Sequence, residues 1–146
     1  MCSNITTSQS VELSQLLIEN INNEDTFNQL LFNGANINIQ NEIGWCILFE
    51  SISLNLNHKI RGFLEYGVNI NIRDAKSRNA LFWSVYFDNF DATKILLSLN
   101  SDLIVSSKYD LHLFHYAVYK NNLPLVKYLV ENGMILKQKI VWSQLH

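Results

Sequence analysis

Two histidines, His112 and His115, form the pair whose spacing in this sequence suits a metal ion. Side chains three residues apart share one face of a helix, and imidazole is a common zinc ligand. A zinc site needs a third ligand, however, and the nearest carboxylate, Asp110, precedes the helix without a reason to converge on the pair. We therefore predict that the histidines are structural and that the protein uses no metal or other cofactor.

Cys46 is a second residue whose type could do chemistry, as a nucleophile. A reactive thiolate needs a neighbouring group that lowers the pKa of the thiol, and the segment around Cys46 supplies none. Glycine-rich phosphate loops and nucleophile elbows are also absent from the sequence. Glu24 and Asp25 fall at a helix start, where negative charge is favourable without any acid–base role. We predict that the protein is not an enzyme.

Composition narrows the remaining classes. The 146 residues suffice for one domain, and with 48% hydrophobic residues the chain is too apolar to be disordered. A net charge of -2 argues against nucleic-acid binding, which depends on neutralising phosphates. The sequence contains no export signal, no apolar run of membrane-spanning length and only two cysteines. We expect a cytoplasmic protein without a membrane partner.

A period of 33 residues organises the chain and must position any functional side chain. Apolar and glycine positions repeat at this step in several registers. Gly or Asn recurs where a helix would end in the left-handed conformation, and Asn or Asp recurs where two helices would be joined by a turn. The helix ends are Gly34, Gly67, Asn100 and Gly133, and the turns begin at Asn22, Asn55, Asp88 and Asn121. Each unit is therefore predicted to be two short helices.

These units resemble the ankyrin repeat. The best copy runs from His112-Leu113-Phe114-His115 through Asn122-Leu123-Pro124-Leu125 to Asn132-Gly133. The resemblance implies an all-α solenoid of about four helix–turn–helix units joined by hairpin-like loops. We place the units at about 8–36, 37–69, 70–102 and 103–136, after a flexible stretch at 1–7. Residues 137–146 would form a tail or partial repeat that covers the last helices as a lid.

The sequence departs from the family pattern where each first helix begins. The Thr-Pro-Leu-His segment of the family reads Cys46-Ile47-Leu48-Phe49 and Asn79-Ala80-Leu81-Phe82 here. Asn79 remains a good helix cap, whereas Cys46 and His112 are poor ones, and each lost cap costs on the order of 1 kcal/mol. We predict a divergent array of modest stability.

The resemblance also implies that hairpin tips and the exposed ends of the first helices form a concave binding face. Many aromatic residues occupy these positions, although solubility alone would favour Lys, Glu, Ser or Asn. Aromatic residues and Arg dominate binding hot spots. The predicted partner-binding residues are Glu42, Ile43, Trp45, Lys76, Arg78, Tyr86, Phe87, Lys108, Tyr109, Leu111, Tyr119, Lys120 and Trp142. Phe87 and Trp142 could instead be core or lid residues, and Trp83 and Tyr116 are assigned to the core.

Lys76, Arg78, Lys108 and Lys120 make this face locally basic in a slightly acidic protein. We therefore expect a protein partner with an acidic or mixed apolar–acidic surface, bound by a chain that is monomeric when free. A narrower alternative is an immunity or inhibitor protein that occludes the active site of a toxic enzyme. Binding of a small molecule or haem in the aromatic groove is a third alternative.

Overall fold

A computed structural model describes residues 7–99 and 110–132, and for 110–114 it describes the backbone alone. These ranges contain helices and turns but no strand. The helices are α1 (Thr7–Glu19), α2 (Glu24–Phe32), α3 (Ile47–Ser53), α4 (Asn57–Glu65), α5 (Ala80–Tyr86), α6 (Phe90–Leu99), α7 (Asp110–Tyr119) and α8 (Leu123–Glu131). Helix α1 begins one residue before the repeat domain was predicted to start, a difference within the usual fraying of helix ends. The predicted lid at 137–146 lies outside the described residues.

The helices form two layers. Each odd-numbered helix packs on the helix that follows it, and α1, α3, α5 and α7 stack in succession. We call these four the inner helices and α2, α4, α6 and α8 the outer helices. Helix α4 packs in the same way on α6. The predicted all-α repeat fold is confirmed.

The turns between the paired helices follow the predicted period. Asn55, Asp88 and Asn121 have φ angles of 57°, 55° and 55°. Asn22 was also predicted to begin a left-handed turn, but it is not left-handed. Helices α1 and α2 are joined instead by a different turn, in which the Asn23 N–H donates to the Asn20 carbonyl. A left-handed residue at the end of a helix lets the next amide reach back to an unpaired carbonyl. The inner helices α3, α5 and α7 therefore end at the same point of the repeat.

The helix starts agree only in part with the expected caps. The Asn79 side chain accepts a hydrogen bond from the Phe82 N–H, whereas Cys46 caps α3 without a side-chain bond. Helix α7 begins at Asp110, two residues before the cap expected at His112. Gly34 and Gly67 have the predicted left-handed φ angles of 95° and 84°, and the equivalent Asn100 and Gly133 lie outside the described residues.

Amide side chains link successive loops and successive helix pairs. Asn38 Nδ2 donates to the Gly67 carbonyl at 2.9 Å, and its Oδ1 accepts from the Asn69 N–H at 2.6 Å. Deeper in the molecule, the buried Asn89 donates to the Ile52 carbonyl at 2.9 Å and to Asn57 Oδ1 at 2.8 Å. The bond from Asn89 satisfies the Ile52 carbonyl, which burial would otherwise leave unpaired.

Candidate protein-binding face

Two hairpin tips begin the site and share one backbone geometry. Asn41 Oδ1 accepts from the N–H groups of Ile43 and Trp45 at 3.1 and 2.9 Å. One period later, Asp74 Oδ1 accepts from the N–H groups of Lys76 and Arg78, both at 2.9 Å. Such side-chain turns replace part of a β-turn. They fix the tips without requiring a regular strand.

Each tip is completed by a left-handed residue, which is Gly44 in one and Ser77 in the other, with φ angles of 81° and 62°. The tips also contact each other, because the Ala75 N–H donates to the Ile43 carbonyl at 3.2 Å. Gly44 fits closely against the next tip, since a Cβ at this position would lie 2.5 Å from the Asp74 Cα. The glycine is therefore required by packing as well as by its backbone conformation.

Trp45 is held between its own helix and the next unit. Its indole N–H donates to Glu50 Oε2 at 2.6 Å, and its ring packs edge to face on Trp83 with centroids 5.0 Å apart. The residue is half-buried. Edge-to-face pairs of this kind contribute about 0.5–1.5 kcal/mol beyond their buried area. Trp45 is thus a fixed ring with one accessible side.

Asp74 organises the next part of the site. Its side chain is 1% exposed, and its Oδ2 accepts from Arg78 Nε at 2.7 Å and from the Trp83 indole N–H at 3.2 Å. The guanidinium of Arg78 lies over the Trp83 ring, 4.4 Å from its centroid. A cation on an aromatic face and a carboxylate at its edge are both favourable contacts. Asp74 therefore fixes an arginine and a tryptophan together.

Aromatic contacts then continue to the fourth helix pair. Phe87 and Tyr86 lie 5.7 and 5.2 Å from Trp83, and Tyr86 stacks on Tyr116 at 5.5 Å with an angle of 7° between the rings. The last contact, at 6.4 Å, joins Tyr116 to Tyr119. We call this connected set the aromatic face; it consists of Trp45, Trp83, Tyr86, Phe87, Tyr116 and Tyr119. It crosses three successive helix pairs.

The comparison with known proteins agrees with this architecture. A family model of ankyrin repeats in three copies matches residues 15–107 and 63–140. The chain belongs to the ankyrin-repeat family. The repeats of this family generally serve as protein-interaction modules and non-enzymatic scaffolds.

Two viral ankyrin-repeat proteins are similar to the chain. An ankyrin repeat protein of Acanthamoeba polyphaga mimivirus is 24% identical over 116 residues, which is 75% of this chain and 15% of that protein. An ankyrin repeat protein of fowlpox virus is 29% identical over 73 residues, covering 50% of this chain and 18% of the relative. The chain therefore spans less than a fifth of either relative.

The positions predicted for partner binding in this ankyrin array differ in exposure. Glu42, Ile43, Lys76, Tyr86, Phe87 and Tyr119 are exposed, and Trp45, Arg78 and Lys120 are half-buried. Lys108, Tyr109 and Trp142 lie outside the described residues, as does the side chain of Leu111. Trp83 is buried, as predicted, and Tyr116 is half-buried. Trp83 and Tyr116 also connect the exposed rings of the aromatic face to one another. Their predicted place in the core did not include this role.

The predicted basic character of the face requires a correction. Arg78 is paired with Asp74, and Lys120 lies 3.3 Å from Asp88 Oδ2 while also donating to the Tyr86 carbonyl. The prediction of a basic face considered the cations alone and left out Asp74 and Asp88, which pair with them. Among the described predicted cations, Lys76 alone has no carboxylate within ion-pair distance. The described part of the face is therefore mainly aromatic, with much of its positive charge compensated.

Cys46 lies in unreactive surroundings, and the side chain of His112 lies outside the described part of the chain. Cys46 is 1% exposed, and burial raises the pKa of its thiol to about 11, so the thiol is protonated at neutral pH. Within the described ranges, no three His, Cys, Asp or Glu side chains are grouped to hold a metal ion. In the same ranges, no helix has both the length and the apolar character needed to cross a membrane.

Proposed function

We propose that this ankyrin-repeat chain binds another protein through the aromatic face. The observation that carries the proposal is the unbroken series of ring contacts from Trp45 to Tyr119, combined with the exposure of its outer members. Tyr119 is 84% exposed, Tyr86 41% and Phe87 37%. Exposed aromatic area is unfavourable in water, at about 25 cal/mol per Å2, and burial against a partner would recover that free energy.

The rings are held in place before any partner arrives. Both described indole N–H groups, of Trp45 and Trp83, donate to carboxylates of the same chain, and Tyr86 is stacked between neighbouring rings. Side chains that are already ordered lose little conformational entropy on binding. Rigid aromatic side chains of this kind act as anchors in many binding surfaces.

The charges favour a partner surface that is mainly apolar with a few carboxylates. Arg78 donates through Nε to Asp74, so its terminal nitrogens have no hydrogen-bond partner among the described residues. Lys76 is exposed at the hairpin tip. A partner carboxylate can pair with either cation while its apolar side chains cover the rings. We propose that the free chain is monomeric and acts in the cytoplasm, where a reducing environment suits the free thiol of Cys46.

Affinity capture from a native lysate, read by quantitative mass spectrometry, tests the binding face. The variant Tyr86→Ala with Tyr119→Ala removes two exposed rings, and we expect it to lose the captured partner by at least about tenfold, equivalent to 1.4 kcal/mol. Phe32→Ala is the matched control, because Phe32 is 88% exposed but lies on the outer helix α2. Circular dichroism checks that both variants fold. Full retention by the double variant, or equal loss in the control, would overturn the proposal.

A further inference from the structure

A groove between the outer helices α2 and α4 is a second candidate site, on elements that carry no part of the aromatic face. Its volume is about 250 Å3, and it is open to solvent. Phe27, Phe63 and Tyr66 are its aromatic lining residues, of which Phe27 and Phe63 are buried and Tyr66 is exposed. Glu24 and Glu65 lie among the polar lining residues. A volume of this size accommodates one large side chain but not a whole helix. The groove is therefore suited to a single anchoring residue.

Gly62 keeps the groove open. The glycine lies inside α4, where glycine costs about 1 kcal/mol relative to alanine. No left-handed φ angle requires it, and an added Cβ would meet no atom within 4 Å. The equivalent positions of the next two outer helices hold Ile95 and Tyr128, so this helix position accepts large side chains. Folding thus does not explain the glycine, whereas access to the groove does.

Tyr66 presents a fixed aromatic ring in the groove. Its hydroxyl donates to Asn28 Oδ1 at 3.1 Å, and its ring packs edge to face on Phe27 with centroids 6.1 Å apart. Nearly half of the residue remains exposed, at 48%. A ring that is held on one side and open on the other can stack on a planar cation.

The charges of the groove favour a cation. Glu24 and Glu65 have no ion-pair partner in the described part of the chain. The ammonium of Lys59 is directed to the Ile21 carbonyl, to which it donates at 2.6 Å, and His58 is the other basic residue of the lining. The groove is thus lined by two carboxylates without an ion-pair partner among the described residues and by one lysine whose ammonium is already hydrogen-bonded.

We infer that this groove binds an arginine side chain from a basic segment of a protein partner. The guanidinium would stack on Tyr66 and pair with Glu65 or Glu24, and its planar fork suits both contacts. The inference is independent of the function proposed for the aromatic face. Together the two sites would let one chain join a mixed apolar–acidic surface to a basic one.

The experiment is an NMR titration of the 15N-labelled protein with N-acetyl-arginine amide. We expect saturable shifts at the amides of Gly62 and Glu65, with a dissociation constant on the order of 1 mM. The neutral isostere N-acetyl-citrulline amide should bind at least about fivefold more weakly, because it lacks the charge. Titration without saturation, or equal binding of the two compounds, would refute the inference.

Two variants and a control separate the groove from general charge attraction. Gly62→Ile fills the groove with the residue found one period later, and Glu65→Gln removes one carboxylate; each should weaken binding at least about threefold, or 0.65 kcal/mol. Glu131→Gln is the matched control, because Glu131 is equivalent to Glu65 in the unit where Tyr128 replaces the glycine. The helix propensity of isoleucine exceeds that of glycine, so Gly62→Ile should fold. Unchanged binding by Gly62→Ile would show that the arginine compound binds elsewhere.

Discussion

Replacing Asp74 by asparagine should separate the two tasks of this side chain. Oδ1 forms the hairpin turn, and Oδ2 accepts from Arg78 and Trp83. In Asp74→Asn the oxygen can still serve the turn, as Asn41 does one period earlier. The amide nitrogen would then face two donors and could accept from neither. The turn should persist while the arginine and the tryptophan lose their common acceptor.

The expected cost is about 3 kcal/mol of unfolding free energy. A hydrogen bond to a charged group contributes about 1.5–3 kcal/mol, and two such bonds are lost. The Arg78 side chain is 26% exposed, so water replaces part of its pairing, and its share is correspondingly small. The Trp83 indole is buried and has no such replacement. Most of the loss should therefore come from the tryptophan.

Urea denaturation followed by tryptophan fluorescence measures this cost. With a typical slope of 1–3 kcal/mol per molar urea, the midpoint should fall by about 1–3 M. The matched control is Asn41→Asp, which adds a carboxylate at the exposed equivalent position and should change stability by less than about 0.5 kcal/mol. If Asp74→Asn costs less than 1 kcal/mol, or no more than the control, the second oxygen does not organise the site.

Three further predictions concern the repeat framework. Gly44→Ser should lower the free energy of unfolding by about 3 kcal/mol or more, because its Cβ would lie 2.5 Å from the Asp74 Cα; a urea midpoint equal to wild type would contradict this. Asn89→Ala removes the hydrogen bonds to the Ile52 carbonyl and from the Ala92 N–H, which should lower the free energy of unfolding by about 2–4 kcal/mol. Amide hydrogen exchange in α6 should then be faster, and unchanged protection would contradict this prediction. In a Cys2→Ser background, Cys46 should alkylate far more slowly in the folded than in the unfolded chain at pH 8, and equal rates would disprove its burial. Because the pKa of this thiol rises from 9.0 to about 11 on folding, its contribution to stability is complete below pH 9 and is lost as pH rises towards 11.

The repeat period allowed the helices and their turns to be predicted from local rules. Asn55 and Asp88 tolerate the left-handed conformation that ends an inner helix, and neither depends on a distant partner. Helix pairing then follows because each apolar stripe is buried against its neighbours. Local and periodic information was sufficient for these turns, but it was wrong for the turn at Asn22 and for the start of α7.

The burial and pairing of individual side chains were harder to predict from the sequence. Trp45 is half-buried because Trp83 of the next unit packs on it, and Arg78 is paired because Asp74 lies four residues before it in a hairpin. Both facts depend on contacts made after the units stack. The sequence shows that Gly62 stands where later units hold Ile95 and Tyr128. The groove beside Gly62 could be recognised only in the structure.

The contact between Trp45 and Trp83 has an optical consequence. Two indoles with centroids 5.0 Å apart and nearly perpendicular rings couple their electronic transitions. The coupled band would add to the far-ultraviolet dichroism of the helices, so helix content calculated from that signal alone would be distorted. Because the two rings belong to successive units, the intensity of this band would show whether the two units remain packed on each other. The measurement would need no added fluorophore or other label.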